Sequence, residues 1–100
     1  MGTFVLLTTL SPEGAEAIRR NPSQLQLDAV LLEKLGGQVV GQWAVLGPYD
    51  FLTVIEAPDE RAAASIAVEL AARSASRVQP MAAIPLDVYL ERLSPEDPEP

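Results

Sequence analysis

Tyr49 and Asp50 are the residues of this chain best placed to do chemistry. They follow Gly47-Pro48, between the apolar runs 38–46 and 51–57. Gly and Pro mark a turn there. A turn does not require an aromatic followed directly by a carboxylate at the mouth of a strand. Burial raises the pKa of a carboxylic acid. An Asp facing a sheet interior could therefore accept or donate a proton, with Tyr49 donating a hydrogen bond to a substrate oxygen. Trp43, shortly before the turn, could floor a ligand pocket. Each residue also has a plainer use. Asp50 can accept turn amides, Tyr49 can pack over the hairpin, and Trp43 can fill a core or an interface.

Composition closes several other routes. The chain has no cysteine and no histidine. Disulfides, thiolate chemistry, Cys/His zinc sites and histidine ligation of haem are excluded, as is a histidine general base. No metal and no cofactor are expected. The net charge is -7, from 7 basic and 14 acidic residues, and the basic residues are scattered. That sign opposes binding to a phosphate backbone, so no nucleic-acid partner is expected. Glu96, Asp97 and Glu99 lie in the Pro-rich end and resemble a solubilising tail more than a metal site, because their spacing enforces no geometry. The apolar runs are too short to span a membrane. There is no basic leader, and Leu6 stands where a myristoylation signal needs Ser or Thr. A soluble cytoplasmic protein without a membrane partner is the expectation.

The positioning elements follow from local chemistry. Thr3–Leu10 is β-branched and apolar and reads as a strand. Ser11-Pro12-Glu13 starts a helix, with a cap, a proline at the first turn and an acid at the positive end. The helix runs to about Arg20, breaks at Asn21-Pro22 and resumes. Leu25, Val30, Leu31, Leu32 and Leu35 face inward, and Gly36-Gly37 ends it. Gln38–Leu46 and Phe51–Ala57 form an antiparallel hairpin. Asp59 caps a second helix that ends near 73–76, its small face (Ala62, Ala63, Ile66, Ala67, Leu70, Ala71) resting on the sheet. Residues 77–84 form a fourth strand and 86–93 a short terminal helix. Residues 1–93 make one domain, and 94–100 are expected to be a disordered acidic tail.

This order is the α+β, ferredoxin-like βαββαβ unit, a four-stranded antiparallel sheet with its helices on one face. Right-handed crossovers place the first and third strands at the centre. Pro80 fits an edge strand. Trp43 is expected to share a face with Val39, Gly41 and Val45, with Gly41 making room for the ring or marking a bulge. Asp50 is expected at the end of the sheet near Thr3. Glu56 and Arg77 are expected together at the other end, as an ion pair. Arg19-Arg20 reads as a solvated helix end, with an anion site as its alternative. Both central strands are apolar on both faces, yet both helices lie on one side. The bare face needs a cover. A second copy supplies the simplest one, giving a homodimer or higher homo-oligomer; the alternative is a monomer with the terminal helix folded over part of the face.

The string Gly47-Pro48-Tyr49-Asp50 does not stand alone. Ser11-Pro12-Glu13-Gly14, Asn21-Pro22-Ser23-Gln24-Leu25, Leu35-Gly36-Gly37 and Glu56-Ala57-Pro58-Asp59-Glu60 occur around it in order. Together, over about 3–93, they resemble the GYD family of small bacterial proteins, which looks like part of the dimeric α/β-barrel group. Pro48 is a soft departure that leaves Tyr49 and Asp50 in place. The resemblance implies the fold and a dimer-based assembly, and supplies no reaction. Three functions remain open: a homo-oligomeric small-molecule-binding or accessory protein, with a small apolar ligand held near Tyr49, Asp50 and Trp43; a cofactor-independent isomerase, cyclase or monooxygenase acting on an apolar carbonyl compound; and a structural oligomerisation module.

Overall fold

A computed structural model describes residues 2–74 and 76–93. The elements run β1 (Gly2–Leu10), α1 (Pro12–Arg20), α2 (Gln24–Lys34), β2 (Gln38–Ala44), β3 (Phe51–Ala57), α3 (Glu60–Ser74), β4 (Ser76–Ala83) and α4 (Leu86–Leu93). The strand order is β2-β3-β1-β4, and every neighbouring pair is antiparallel. The expected ferredoxin-like α+β arrangement is present, with Pro80 on an edge strand. The acidic tail lies outside the described residues.

Capping decides where the helices begin. Ser11 Oγ accepts the Gly14 amide at 2.9 Å, with Pro12 in the first turn. Asp59 Oδ1 accepts the Ala62 amide at 2.9 Å and starts α3. Asn21-Pro22 separates α1 from α2. Gly36 takes φ +97° after α2, a left-handed conformation that favours glycine. Arg19 and Arg20 both pair with Glu16, at 2.6 and 3.4 Å. The Arg19 hydrogen bond holds the Glu16 carboxyl below its ordinary range; desolvation opposes it, and Arg20 adds a smaller lowering. Both guanidinium groups are thus engaged on their own helix.

The core lies between one sheet face and the helices. Phe4 and Leu6 from β1, Ile55 and Ala57 from β3, Leu32 from α2 and Ala63 and Ile66 from α3 form one buried cluster. The alanines of α3 let its backbone approach the sheet. Gly37 serves the same packing, because a Cβ there would come within 2.8 Å of Ile66 and Leu32. Val30, expected inward, is 50% exposed. Leu25, Asp28 and Leu32, spaced three and four apart, carry the inward stripe of α2 instead.

The other sheet face is bare. It carries Val5, Leu7, Leu52, Val54 and Met81, each from a position alternate to the core residues. The terminal helix does not cover it: every residue of α4 is exposed. One edge strand departs from simple alternation. A bulge between Val39 and Gly41 sets Val39 opposite Ile55 and Gly41 opposite Val54. The extra residue flips the rest of the strand. Trp43 therefore shares the bare face with Gly41, while Val39 packs on the core side. The bulge separates residues that the sequence puts on one face.

Truncating Leu6, which is 1% exposed between the sheet and the helices, should cost about 2–5 kcal/mol as Leu6→Ala. Urea denaturation followed by circular dichroism measures it, and a loss below about 0.5 kcal/mol, the range of ordinary surface substitutions, would contradict this core assignment.

Candidate functional site

The Gly47–Asp50 turn is built to end three strands at one residue. Gly47 has φ +144°, which a side chain would strain. Asp50 follows and makes three bonds. Its amide donates to Thr8 O at 2.8 Å. Its carbonyl accepts the Val45 amide at 3.0 Å. Its carboxylate Oδ2 accepts the Leu10 amide at 2.8 Å. The last bond has a clear cause. At Leu10, β1 still pairs with Ser76 of β4 but has run past the start of β3, so its N–H has no β3 backbone partner. A buried or half-buried amide without an acceptor is costly. The Asp50 side chain continues the ladder where the backbone cannot.

Asp50 therefore sits beside the end of β1, not near Thr3, because antiparallel pairing sets the start of β3 against the end of β1. It accepts an amide from a strand far away in sequence, where the turn's own amides were expected to serve. The same register separates Glu56 from Arg77. Glu56 pairs with Thr3 and Arg77 with Thr9, at opposite ends of β1. The expected ion pair is not formed; Glu56 instead accepts a hydrogen bond from Thr3 Oγ1 at 3.2 Å.

Tyr49 is half-buried beside Asp50. Trp43 stands opposite Leu52 on the bare face and is 54% exposed. Its ring lies over Gly41, where a Cβ would come within 2.5 Å of it. Both readings of Gly41 hold: it makes room for the ring and it adjoins a bulge. Trp43 and Asp50 share the Leu10 end of the sheet.

A small cavity of about 40 Å³ lies on the opposite, helix-covered side. Tyr49, Asp50 and Trp43 do not line it. Its polar lining comes from Thr8, Asp28, Gln42, Thr53 and Ser76. Gln42 Nε2 donates to Thr53 Oγ1 at 3.2 Å, and Gln24 Nε2 donates to Asp28 Oδ1 at 3.0 Å. Ser76 Oγ is buried without a partner among the described residues. A space of this size accommodates a few water-sized molecules, which is the ordinary solution for such polar groups. The signal for this cluster was present in the sequence. Thr8 and Thr53 interrupt inward strand faces, and Asp28 interrupts the inward stripe of α2.

The fold, the Asp50-centred turn and the order of the motifs define one class of protein: this chain belongs to the GYD-domain family. The family's GYD domain matches residues 4–92. Among curated proteins it is similar to a glutamine synthetase and cystathionine beta-lyase binding protein of Thermus thermophilus. The two are 39% identical over 94 residues, spanning 93% of this chain and 99% of the relative.

The Leu10–Asp50 bond makes the turn's carboxylate a structural acceptor. Asp50→Ala should destabilise the protein by about 1–3 kcal/mol, the cost of leaving an amide without its charged partner. Asp50→Asn, which keeps an acceptor oxygen, should recover most of that loss. Equal stability of wild type and Asp50→Ala in urea titrations would remove this role.

Proposed function

We propose that this protein is an accessory protein that acts by binding other proteins, as a homo-oligomer in the cytoplasm. The carrying observation is the similarity, along nearly the whole of both chains, to a relative named for binding glutamine synthetase and cystathionine beta-lyase. Metabolic enzymes of those two kinds are the proposed partners. The geometry at the turn agrees with this reading. The carboxylate best suited to proton transfer is turned onto a backbone amide, and the adjoining aromatic, Trp43, faces outward from the sheet.

Oligomerisation is proposed from the bare sheet face. Its centre is apolar on both middle strands, and neither the main helices nor α4 cover it. Contiguous apolar surface of this kind marks an interaction site. Two such faces packed together would bury each other as the sheets of a sandwich do, about 10 Å apart.

A second reading, binding of a small molecule, is favoured by one observation, the buried Ser76 hydroxyl aimed at a polar-lined cavity. The cavity as built suits water better than a metabolite. Ligand binding there would require α2 to move away from the sheet.

Size-exclusion chromatography with light scattering tests the core proposal. The protein alone should elute at twice the mass of one chain or more. Mixed with glutamine synthetase or cystathionine beta-lyase from the same organism, it should co-elute with at least one of them. Failure to bind either enzyme at roughly 100 μM, a concentration that detects binding as weak as about −5 kcal/mol, would overturn the accessory reading. Native mass spectrometry of the freshly purified protein would support the second reading only by showing a releasable small molecule.

A further inference from the structure

The bare sheet face carries two charges. Glu56 lies on β3 at the Thr3 end, and Arg77 lies on β4 at the Thr9 end. The remaining positions of the face are apolar or neutral: Val5, Leu7, Leu52, Val54, Trp43 and Met81, with Thr, Gln, Gly and Ala around them. Neither charge is in an ion pair among the described residues. Among the described residues, the ion pairs are those of Glu16 with Arg19 and Arg20. Glu13 lines a shallow depression together with Arg77 but is in no ion pair with it, and Asp50 has its carboxylate turned back onto the Leu10 amide.

The placement of the two charges is specific. Thr3 and Thr9 are six residues apart on β1, which is roughly 20 Å at about 3.3 Å per residue. Strands β3 and β4 flank β1 on its two sides, so the charges are offset by two strand spacings, roughly 10 Å. Glu56 and Arg77 are thus at diagonal corners, and the midpoint between them falls over the centre of β1, between Val5 and Leu7. A two-fold axis lying in the interface through that midpoint, perpendicular to the diagonal, exchanges the two positions. Such an axis brings each Glu56 to one Arg77 of the other copy, two pairs in one operation, and lays the apolar centre on itself. An isologous interface needs this kind of self-complementarity.

We infer that the occupant of the bare face is a second copy of this chain, docked so that Glu56 of each copy pairs with the partner's Arg77. The inference rests on the homo-oligomer reading and adds its geometry. The offset of roughly 10 Å against roughly 20 Å sets the strands of the two sheets crossing at about 50°, between the aligned and orthogonal arrangements. A two-fold axis running along the strands would instead set Glu56 beside its own copy, where like charges repel. The two charges act as a register device. The apolar centre supplies association, and the corners choose among the orientations that the centre alone would accept.

Charge reversal tests the pairing. Glu56→Arg alone and Arg77→Glu alone each create two like-charge contacts per dimer, and each should raise the dimer dissociation constant at least about tenfold at low salt. The double variant E56R/R77E restores both contacts and should return to within about threefold of wild type. Circular dichroism confirms that each variant is folded. Cross-linking provides an independent measurement, since the chain contains no cysteine. With a short bis-maleimide, the double variant E56C/R77C should cross-link between copies, while E56C alone and R77C alone should not. Their separation of roughly 20 Å within one chain prevents an intrachain link. A wild-type protein that is monomeric overturns the oligomer reading and this inference with it. A wild-type dimer whose stability is indifferent to the single reversals, or whose E56C variant cross-links to itself, overturns the pairing alone.

Discussion

Four strands have two faces, and the helices of this chain reach only one of them. That asymmetry governs the rest of the molecule. The split βαβ topology sends α1, α2 and α3 to the same side, so Phe4, Leu6 and Ile55 are buried by the chain itself. The alternate positions of the same strands, Val5, Leu7, Leu52 and Val54, receive no such cover. A side-chain period of two makes the outcome unavoidable: strands apolar on both faces present half of that surface outward. α4, every residue of which is exposed, does not relieve it.

The turn before β3 solves a different problem. A central strand must end somewhere, and its last amides then lack ladder partners. Here Asp50 supplies the missing acceptor, and its backbone simultaneously closes against β1 and β2. The adjoining Ser11 cap then starts α1. One carboxylate thus links the hairpin to the β1–α1 corner, across forty residues of sequence. An acid in such a position invites a catalytic interpretation. Its hydrogen bond gives a sufficient structural reason for it, and the family match shows that the surrounding motif belongs to a domain found beyond this chain.

These two features bear on the proposed role in the same direction. A chain that closes its candidate carboxylate onto a backbone amide, while leaving an apolar face and an apolar helix stripe outward, is organised around surfaces. The relative named for binding two enzymes fits that organisation. No helix among the described residues is long and apolar enough to cross a membrane, so the outward apolar surface is not accounted for by a spanning helix.

Much of the molecule could be read from local chemistry alone. Ser11, Asp59, Asn21-Pro22 and Gly36 set the helix boundaries because caps and breakers act within a few residues. Alternation in β1 and β3 identified which residues face together, and Pro80 marked an edge. The motif order identified the family. Tertiary structure alone decided the rest, and always for a reason of register or direction. A single extra residue at the β2 bulge moved Trp43 away from Val39. Antiparallel pairing sent Asp50 to the end of β1 and parted Glu56 from Arg77. The inward rotation of α2 selected Asp28 and Leu32 over Val30. Residue types determine which segments fold and which faces are apolar; which side chains meet depends on non-local pairing, because a shift of one residue exchanges the faces of a strand.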